Sequence, residues 1–394
     1  MSYLAYICEN CFMIYINREI KNLVLDYLIP NKVVVLIGPR RVGKTVFIKQ
    51  LIDVMQEPYV LLNGEDIATR ELFKRRSTNH LMQLLNGKLL LIIDEAQKIE
   101  DIGLSLKLMI DEIKGLRILI TGSSAFDVEN LTGEPLTGRK YTFKMFGLSE
   151  KEYDQTDSIL TFKDKLHDRL IYGNYPELLH LTTKEQKNRY LNELVSSYLL
   201  KDILSFENIR NSNKIFDLLR LLAFQVGNLV STSELGNQTG LSTNTVIKYL
   251  DLLSKVFIIH RVGGFSRNLR KEINKSNKWY FLDNGIRNLL IANLNPIELR
   301  NDIGHLWENY MISDRIKYQN YSGMIVNNYF WRTYDQQEID WIEEREGKLF
   351  AYEFKWNPQK MVKAPAAWTA NYKSSSFEVI HSENYGQWVG KTMF

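Results

Sequence analysis

The sequence predicts an α/β protein whose first module is a parallel sheet, and three apolar segments lead to that prediction. Residues 32–37 form a β-branched run that is followed by a glycine-containing loop and a helix-period pattern. Residues 89–93 form a second apolar run that ends in two acids, and residues 116–124 form a third. Runs that are apolar at every position are typical of strands buried on both faces, as in parallel sheets.

Length and composition indicate a protein of several domains. A chain of 394 residues corresponds to two to four domains at about 100–200 residues each. The hydrophobic content of 45% is ordinary for a folded protein, which argues against disorder. The net charge of +4 neither requires nor excludes a nucleic-acid partner, because a basic face would have to be local.

The N-terminal residues and the cysteines favour a cytoplasmic protein that does not enter a membrane. Cys8 and Cys11 form a lone pair, which is weak evidence for zinc and too little for a disulfide framework. Polar residues interrupt the first apolar stretch, and Met13 is an alternative start that would make the pair part of an extension. No uninterrupted apolar run approaches the ~20 residues that span a bilayer.

The loop after the first strand has the pattern G-x-x-x-x-G-K-[ST], between a strand and a helix as its function requires. Gly38 and Gly43 let backbone N–H groups point at phosphate oxygens, and the helix N-terminus adds positive potential. Lys44 would bind the β- and γ-phosphates, and the Thr45 hydroxyl would bind Mg²⁺. The predicted nucleotide-binding residues are Gly38, Pro39, Arg40, Arg41, Val42, Gly43, Lys44, Thr45, Val46 and, from a later strand, Ser123.

Two carboxylates follow the second strand, at the sheet edge where α/β proteins bind ligands. Asp94 would hold the Mg²⁺ shell, and Glu95 would act as general base toward water. Taken alone, such a pair is more often a solvated strand end. Ser123, with Thr121 and Ser124 as neighbours, is the candidate for sensing the γ-phosphate, although hydroxyls there also cap loops.

The motifs GPRRVGKT, LIIDEAQ, ITGSSA and LTGRKYTFKMFGLSE, in that order, resemble the AAA+ ATPases that carry a C-terminal domain of unknown function, the AAA_14/DUF4143 group. The segment GNYPELL matches the helical segment of the same group. The resemblance implies that Arg139 is an arginine finger for a neighbouring subunit, and hence a homo-oligomer. An arginine in such a loop is otherwise a surface ion-pair partner.

A helix-turn-helix pattern lies in the middle of the chain. An amphipathic helix over 211–227, a short helix over 232–238 and a longer helix from Ser242 precede an expected hairpin over 257–262, which is typical of a winged helix. Residues of the longer helix that would face a DNA groove are Thr243, Asn244, Thr245 and Lys248. Winged helices also serve as packing or protein-binding modules, and one basic residue gives little phosphate affinity.

The C-terminal module carries a possible second reaction centre. Alternation places Glu338 and Asp340 on one strand face, with Ile339 and Trp341 on the other, and gives Glu353 and Lys355 a common face. Asp340 followed by Glu-x-Lys resembles the PD-(D/E)XK nuclease fold, with Glu308 as an additional acid. There Asp340 and Glu353 would hold Mg²⁺ and Lys355 would orient water. An ordinary exposed sheet face with Glu–Lys pairs is the alternative.

The predicted organisation has five parts. They are an N-terminal extension (1–15), an AAA+ P-loop ATPase domain (16–148), a helical lid or connector (149–209), a winged helix (210–265) and a restriction-endonuclease-like α/β domain (266–394). The expected function is an ATP- and Mg²⁺-dependent ATPase whose nucleotide state acts on the nuclease-like module, with DNA as partner. The alternatives are a regulatory scaffold with an inactive nuclease-like domain and a DNA binder with ATP as allosteric ligand.

Overall fold

The computed structural model describes residues 14–123, 135–158, 161–199, 212–266 and 277–391. Cys8, Cys11 and Ser124, which the sequence singled out, lie outside these residues. Within the described ranges, no helix combines the length and apolar character needed to cross a membrane.

The strands alternate with helices in the first module and cluster in the last. The strands are β1 Lys32–Ile37, β2 Val60–Asn63, β3 Leu90–Asp94, β4 Arg117–Gly122, β5 Lys140–Lys144, β6 Leu229–Val230, β7 Ile259–Gly264, β8 Asn277–Phe281, β9 Asn327–Arg332, β10 Glu338–Arg345, β11 Lys348–Phe354 and β12 Ser376–Ile380. The α-helices are α1 Ile20–Tyr27, α2 Lys44–Met55, α3 Ile67–Lys74, α4 Thr78–Leu85, α5 Ile102–Glu112, α6 Phe162–Tyr172, α7 Lys184–Glu193, α8 Ser212–Phe224, α9 Thr232–Thr239, α10 Thr243–Lys255, α11 Asn284–Leu290, α12 Ile303–Tyr321, α13 Ala366–Asn371 and α14 Tyr385–Trp388.

The first module is a five-stranded parallel sheet in the order β2-β3-β4-β1-β5. Strand β3 is buried at every position, and β1 and β4 are buried at every position but the first, because helices cover both faces. The prediction of an α/β parallel sheet is confirmed. Parallel strands bring their carboxyl ends to one edge, so the loops after β1, β3 and β4 meet there.

The helices of the middle region begin and end close to the predicted positions. Helix α8 spans Ser212–Phe224, and α9 and α10 are joined by Gly240, whose φ of 64° closes the turn. Ser231 and Ser242 cap α9 and α10 by accepting hydrogen bonds from backbone N–H groups. The expected hairpin over 257–262 is wrong, because β7 is one strand whose antiparallel partner is β8.

A seven-stranded mixed sheet in the order β12-β11-β10-β9-β7-β8-β6 joins the middle region to the C-terminal region. The connection is the parallel pairing of β7 with β9, so the predicted boundary between residues 265 and 266 falls inside this sheet. The expectation that Ile339 and Trp341 share a face is also wrong. They pack in different hydrophobic clusters, because a β-bulge shifts the pairing register between Ile339 and Ile342.

Helix α12 connects the two sheets. The expected core positions Leu306, Tyr310 and Ile316 are buried. At its C-terminal end, the Tyr321 hydroxyl accepts a hydrogen bond from the backbone N–H of Phe146, which follows β5 (3.0 Å). Near its middle, Tyr310 donates to the buried Glu150 carboxylate, which also pairs with Arg169 of α6. The C-terminal region is therefore bonded directly to the first module.

Candidate functional site

Two glycines shape the loop between β1 and α2. Gly43 precedes α2 with a φ of 92°, a left-handed conformation that disfavours residues with a side chain. Gly38 lies against the backbone of Met145, and a Cβ at this position would clash with the Met145 carbonyl oxygen. Each glycine is thus required for a different physical reason, one for conformation and one for space.

The Lys44 side chain lies along the loop and is buried. Its ammonium donates to the carbonyl oxygens of Gly38 (2.8 Å) and Pro39 (2.9 Å). These bonds place a positive charge inside the curve of the loop, beside the N-terminus of α2. This is the charge arrangement that binds nucleotide phosphates in P-loop proteins.

Asp94 lies at the end of β3, between two threonine hydroxyls. The Thr45 hydroxyl donates to one Asp94 carboxylate oxygen (2.7 Å), and the Thr121 hydroxyl donates to the other. Thr121 in turn accepts a hydrogen bond from the backbone N–H of Glu95 (3.1 Å). The sequence assigned Asp94 and Thr45 to one metal shell, and the structure brings their oxygens together.

Glu95 and Ser123 lie on either side of a residue that the sequence did not single out. The Gln97 side-chain amide donates to a Glu95 carboxylate oxygen (2.6 Å) and to the Ser123 hydroxyl (3.1 Å). Gln97 therefore links the predicted base to the predicted phosphate sensor. The only signal for this role in the sequence was its place directly after the Asp94–Glu95 pair.

A largely apolar pocket of about 700 Å³ opens beside the P-loop. Sequence reasoning identified its P-loop wall but missed the other two walls, which come from the N-terminal segment and from the turn after α6. It is lined by Ile14, Tyr15, Ile16, Arg18, Arg41, Val42, Gly43, Val46, Phe47, Gln50, Leu148, Pro176, Glu177, Leu179, His180, Leu181 and Thr182. Its volume lies within the roughly 300–1,000 Å³ of small-molecule sites.

Arg18, also missed by sequence reasoning, lies beneath the P-loop and is buried. Its guanidinium donates to the carbonyl oxygens of Val42 (2.8 Å) and Phe146 (2.7 Å) and to the Glu152 carboxylate (2.8 Å). The planar guanidinium presents its donors in a fixed arrangement, and these bonds hold the loop against the segment after β5. An isolated arginine in an N-terminal segment gives no sequence signal for such a role.

Arg139 lies at the other end of the first sheet from its own P-loop. It directly precedes β5, and its carbonyl oxygen accepts from the backbone N–H of Val33, near the start of β1. Its side chain forms a part-exposed ion pair with Asp111 (3.0 Å). The structure therefore does not bring Arg139 to the nucleotide site of the same chain.

The residues predicted to face DNA lie in the first two turns of α10. Thr243, Asn244 and Lys248 are exposed, and Thr245 is half-buried, with its hydroxyl 2.8 Å from that of the capping residue Ser242. The opposite side of α10 is buried through Val246, Leu250 and Leu253. This part of the helix thus presents a polar surface to solvent.

The second predicted constellation converges on one pocket of about 610 Å³, which we call the acidic pocket. Its walls come from α12, β8, β10 and the end of β11. All five predicted residues line it, Glu308, Glu338, Asp340, Glu353 and Lys355, together with Gly227, Asn228, Lys278, Asn301, Ile303, Gly304, His305, Phe354, Trp356, Asn357 and Lys360.

Strand pairing and two lysines position these acids. Trp341 lies opposite Tyr352, so Asp340 comes beside Glu353, and Asp340 accepts a hydrogen bond from the backbone N–H of Phe354 (2.9 Å). Lys355 donates to Glu353 (2.6 Å). Lys278, buried and not anticipated, contacts both Glu338 (2.5 Å) and Glu308 (3.6 Å).

The carboxylates affect one another's protonation. Burial, followed by the charge of Asp340, raises the pKa of Glu308 to about 8. The same two causes raise the pKa of Glu353. Burial lowers the pKa of Lys278, but Glu308, Asp340 and Glu338 outweigh burial and raise it overall. Negative charge on these buried carboxylates is therefore unfavourable unless a cation balances it, so a cation would be favoured in this pocket.

The acidic pocket does not contain a complete protein cage for a metal. Among the residues that the structure describes, no three His, Cys, Asp or Glu side chains converge closely enough to hold an ion. Mg²⁺ commonly uses only one or two carboxylates and completes its coordination with water and substrate phosphates. Asp340 and Glu353 fit that second arrangement.

Three family models match consecutive parts of the chain. They are an AAA domain over residues 30–154, a domain of unknown function (DUF8612) over 163–297 and a domain of unknown function (DUF4143) over 303–385. The P-loop falls in the first match, and Glu308, Glu338, Asp340, Glu353 and Lys355 fall in the third.

Relatives occur in bacteria and archaea. An uncharacterized protein of Mycobacterium tuberculosis is 24% identical over 329 residues, which cover 82% of this chain and 70% of that protein. An uncharacterized protein of Methanocaldococcus jannaschii is 25% identical, covering 89% of this chain and 80% of that protein. Among solved structures, a Thermotoga maritima RuvB mutant is 17% identical with a TM-score of 0.30, covering 63% of this chain and 91% of that chain.

The AAA match contains the P-loop and Asp94–Glu95, and the DUF4143 match contains the acidic pocket's carboxylates. Both matches agree with the resemblance seen in the sequence motifs. The chain therefore contains an AAA domain, which carries the P-loop, and a DUF4143 domain.

Proposed function

We propose that the chain binds Mg²⁺–ATP at the P-loop and hydrolyses it. The observation that carries this proposal is the Thr45–Asp94 hydrogen bond (2.7 Å), which holds two hard oxygen donors beside Lys44. Thr45 and Asp94 would hold Mg²⁺, which when bound neutralises phosphate charge. Lys44 binds the phosphates, and Glu95, oriented by the Gln97 amide, accepts a proton from the attacking water.

We assign the apolar pocket beside the P-loop as the binding site of the nucleotide base. It adjoins Gly43 and Val46 at the start of α2, so a nucleotide whose phosphates contact the P-loop would direct its base toward this pocket. Its mainly hydrocarbon lining suits the faces of an aromatic base.

The hydrolysis proposal is tested with Glu95→Gln. The amide keeps the shape of the side chain but does not accept a proton, so we expect ATP affinity to persist and turnover to fall about 10²- to 10⁴-fold. ATP binding and phosphate release are measured on the same preparation, with Glu100→Gln as a matched surface control. Turnover equal to that of the unsubstituted chain would mean that another group is the base.

We further propose that the acidic pocket binds a divalent cation and cleaves phosphodiester bonds in nucleic acid, and that ATP at the P-loop controls this reaction. Asp340 and Glu353 would hold the cation, which when bound would supply Lewis-acid activation of water. Lys355, ion-paired with Glu353, lies beside that position and stabilises negative charge on the phosphate. This proposal is supported by the convergence of Glu308 from α12, Asp340 from β10 and Glu353 from β11 on one pocket.

The nuclease proposal is tested by incubating the full chain with single-stranded, branched and supercoiled DNA and with RNA, with Mg²⁺ or Mn²⁺. We expect cleavage that Asp340→Ala and Lys355→Ala each abolish, whereas Lys348→Ala, at the other end of β11, leaves it intact. The ion pairs inside the pocket, Lys278 with Glu338 and Lys355 with Glu353, favour the main alternative, an inactive module that binds a partner. Binding without cleavage would support that alternative.

Two further roles complete the proposal. Arg139, which lies away from its own nucleotide site, would contact the γ-phosphate on a neighbouring copy in a homo-oligomer. Helix α10 would contact DNA through its exposed Thr243, Asn244 and Lys248, as the second helix of a winged helix.

A further inference from the structure

A second pocket, of about 470 Å³, adjoins the acidic pocket; we call it the Trp356 pocket. The two pockets have Trp356 and Asn357 in common, directly after the Glu353–Lys355 segment. Its walls are the first half of α6, the loop after β11 and the loop after β12. It is lined by Lys163, Leu166, His167, Trp356, Asn357, Pro358, Ser382 and Glu383.

The lining combines flat apolar surface with positive charge at the rim. The Trp356 and His167 rings lie 5.7 Å apart at 52°, and Pro358 and Leu166 add hydrocarbon. Lys163 is exposed at this pocket, and Lys360 is exposed at the acidic pocket beyond Trp356. Aromatic surface beside cations is the lining that binds bases and the phosphates that flank them.

The surroundings fix Trp356 in place. Its ring packs edge-to-face on the buried Trp307 (5.3 Å), and its carbonyl oxygen accepts from the Ser382 hydroxyl (3.1 Å). A rigid aromatic side chain stacks on a base with little loss of conformational entropy. Glu383, also at this pocket, offers a carboxylate that accepts hydrogen bonds from an exocyclic amine.

We propose that the Trp356 pocket receives one unpaired nucleobase, so that the substrate of the acidic pocket is single-stranded nucleic acid. This inference rests on the proposed phosphodiester cleavage, because it places the base next to the phosphate that enters the acidic pocket. A duplex keeps its bases stacked and paired, so it would have to extrude one base, at an energetic cost, to fill the pocket.

The test is equilibrium binding of the full chain to a fluorescently labelled 20-nucleotide DNA strand, with Ca²⁺ in place of Mg²⁺ so that a cation balances the carboxylates while cleavage is avoided. We expect the single strand to bind at least about tenfold tighter than the matching duplex. Trp356→Leu should weaken single-strand binding about tenfold, and Trp356→Phe should retain most of it, because a stacking ring remains. Lys163→Ala should weaken binding less, and Lys348→Ala serves as the control.

A series of DNA strands, each with one abasic position at a different place, identifies the base that the pocket binds. In the unsubstituted chain one position should weaken binding, and in Trp356→Leu the same abasic position should have no further effect, since the two changes remove one interaction. Equal affinity for strand and duplex, unchanged affinity in Trp356→Leu, or binding of neither DNA would overturn the inference. Tight single-strand binding without cleavage under any metal would leave the inference standing and overturn the nuclease proposal.

Discussion

The P-loop surrounds its ligand position with backbone groups and one lysine, whereas the acidic pocket lines its wall with four carboxylates. At the P-loop, Asp94 accepts hydrogen bonds from two threonine hydroxyls, which stabilise its carboxylate. In the acidic pocket, Glu308 and Glu338 depend on the buried Lys278. The first site is therefore organised mainly by local backbone geometry, and the second by charge balance between residues that are distant in sequence.

That difference predicts unequal tolerance to substitution. Gly43 and Lys44 act within one short segment, so a substitution there should impair binding while the fold survives. The acidic pocket joins α12, β8, β10 and β11, so a substitution there should affect folding as well as binding.

The largest effect is expected for Lys44→Ala. Removing the ammonium leaves the phosphates without their point charge, and ATP affinity should fall at least about a thousandfold, which is ~4 kcal/mol. Titration calorimetry with Mg²⁺–ATP checks this value, with the exposed Lys49→Ala on the same helix as control. Circular dichroism should show that Lys44→Ala remains folded. Affinity similar to that of the Lys49 variant would refute the P-loop assignment.

The second effect concerns Lys278, whose side chain is 2% exposed. Lys278→Met leaves the buried Glu308 and the half-buried Glu338 without this cation, and the free energy of unfolding should fall by about 3 kcal/mol. The double variant Lys278→Met, Glu338→Gln should recover part of that loss, because the carboxylate that pairs most closely with Lys278 (2.5 Å) is neutralised together with its partner. Urea denaturation of both variants measures the effect. Equal stability of all three chains would show that charge balance does not hold this pocket together.

Much of the first site could be predicted because its residues are contiguous. Gly38 to Thr45 form one contiguous segment, and Asp94 ends one apolar strand, so spacing alone locates them. Gln97 and Arg18 were missed because their roles depend on what folds against them, namely Ser123 and the Val42 carbonyl. A single arginine or glutamine has no periodicity or spacing that marks such a contact.

The acidic pocket was predicted less completely. Strand alternation identified Asp340, Glu353 and Lys355, but it failed for Ile339 and Trp341, because a bulge changes the phase of the strand. Lys278 lies 62 positions before Asp340 in sequence, and only the pairing of β7 with β9 carries its strand into the same sheet. Such pairing depends on the whole fold and leaves no local pattern.

The smallest effect on stability is expected for Arg139→Ala. Its ion pair with Asp111 is part-exposed, so the free energy of unfolding should change by less than about 1 kcal/mol. ATP turnover should nevertheless fall while nucleotide affinity persists, because the guanidinium would act on a neighbouring copy.

Mixing two variant chains distinguishes a residue that acts on a neighbouring subunit from one whose loss impairs only its own chain. Combining Arg139→Ala with the Asp94→Ala, Glu95→Gln double variant should restore part of the turnover, since each chain supplies what the other lacks. Sedimentation velocity establishes whether the chain assembles under the assay conditions. A monomer with full turnover would remove Arg139 from the mechanism.

The proposed function requires that ATP at the P-loop controls phosphodiester cleavage in the acidic pocket of the same chain. The direct measurement is cleavage of a labelled single strand by the unsubstituted chain, Lys44→Ala and Asp340→Ala, each with and without ATP, alongside ATP turnover. We expect a cleavage rate that responds to ATP only in the unsubstituted chain, loss of the ATP response in Lys44→Ala, and no cleavage but continued ATP turnover in Asp340→Ala. Cleavage that persists in Asp340→Ala, or that is identical with and without ATP in the unsubstituted chain, would contradict the account.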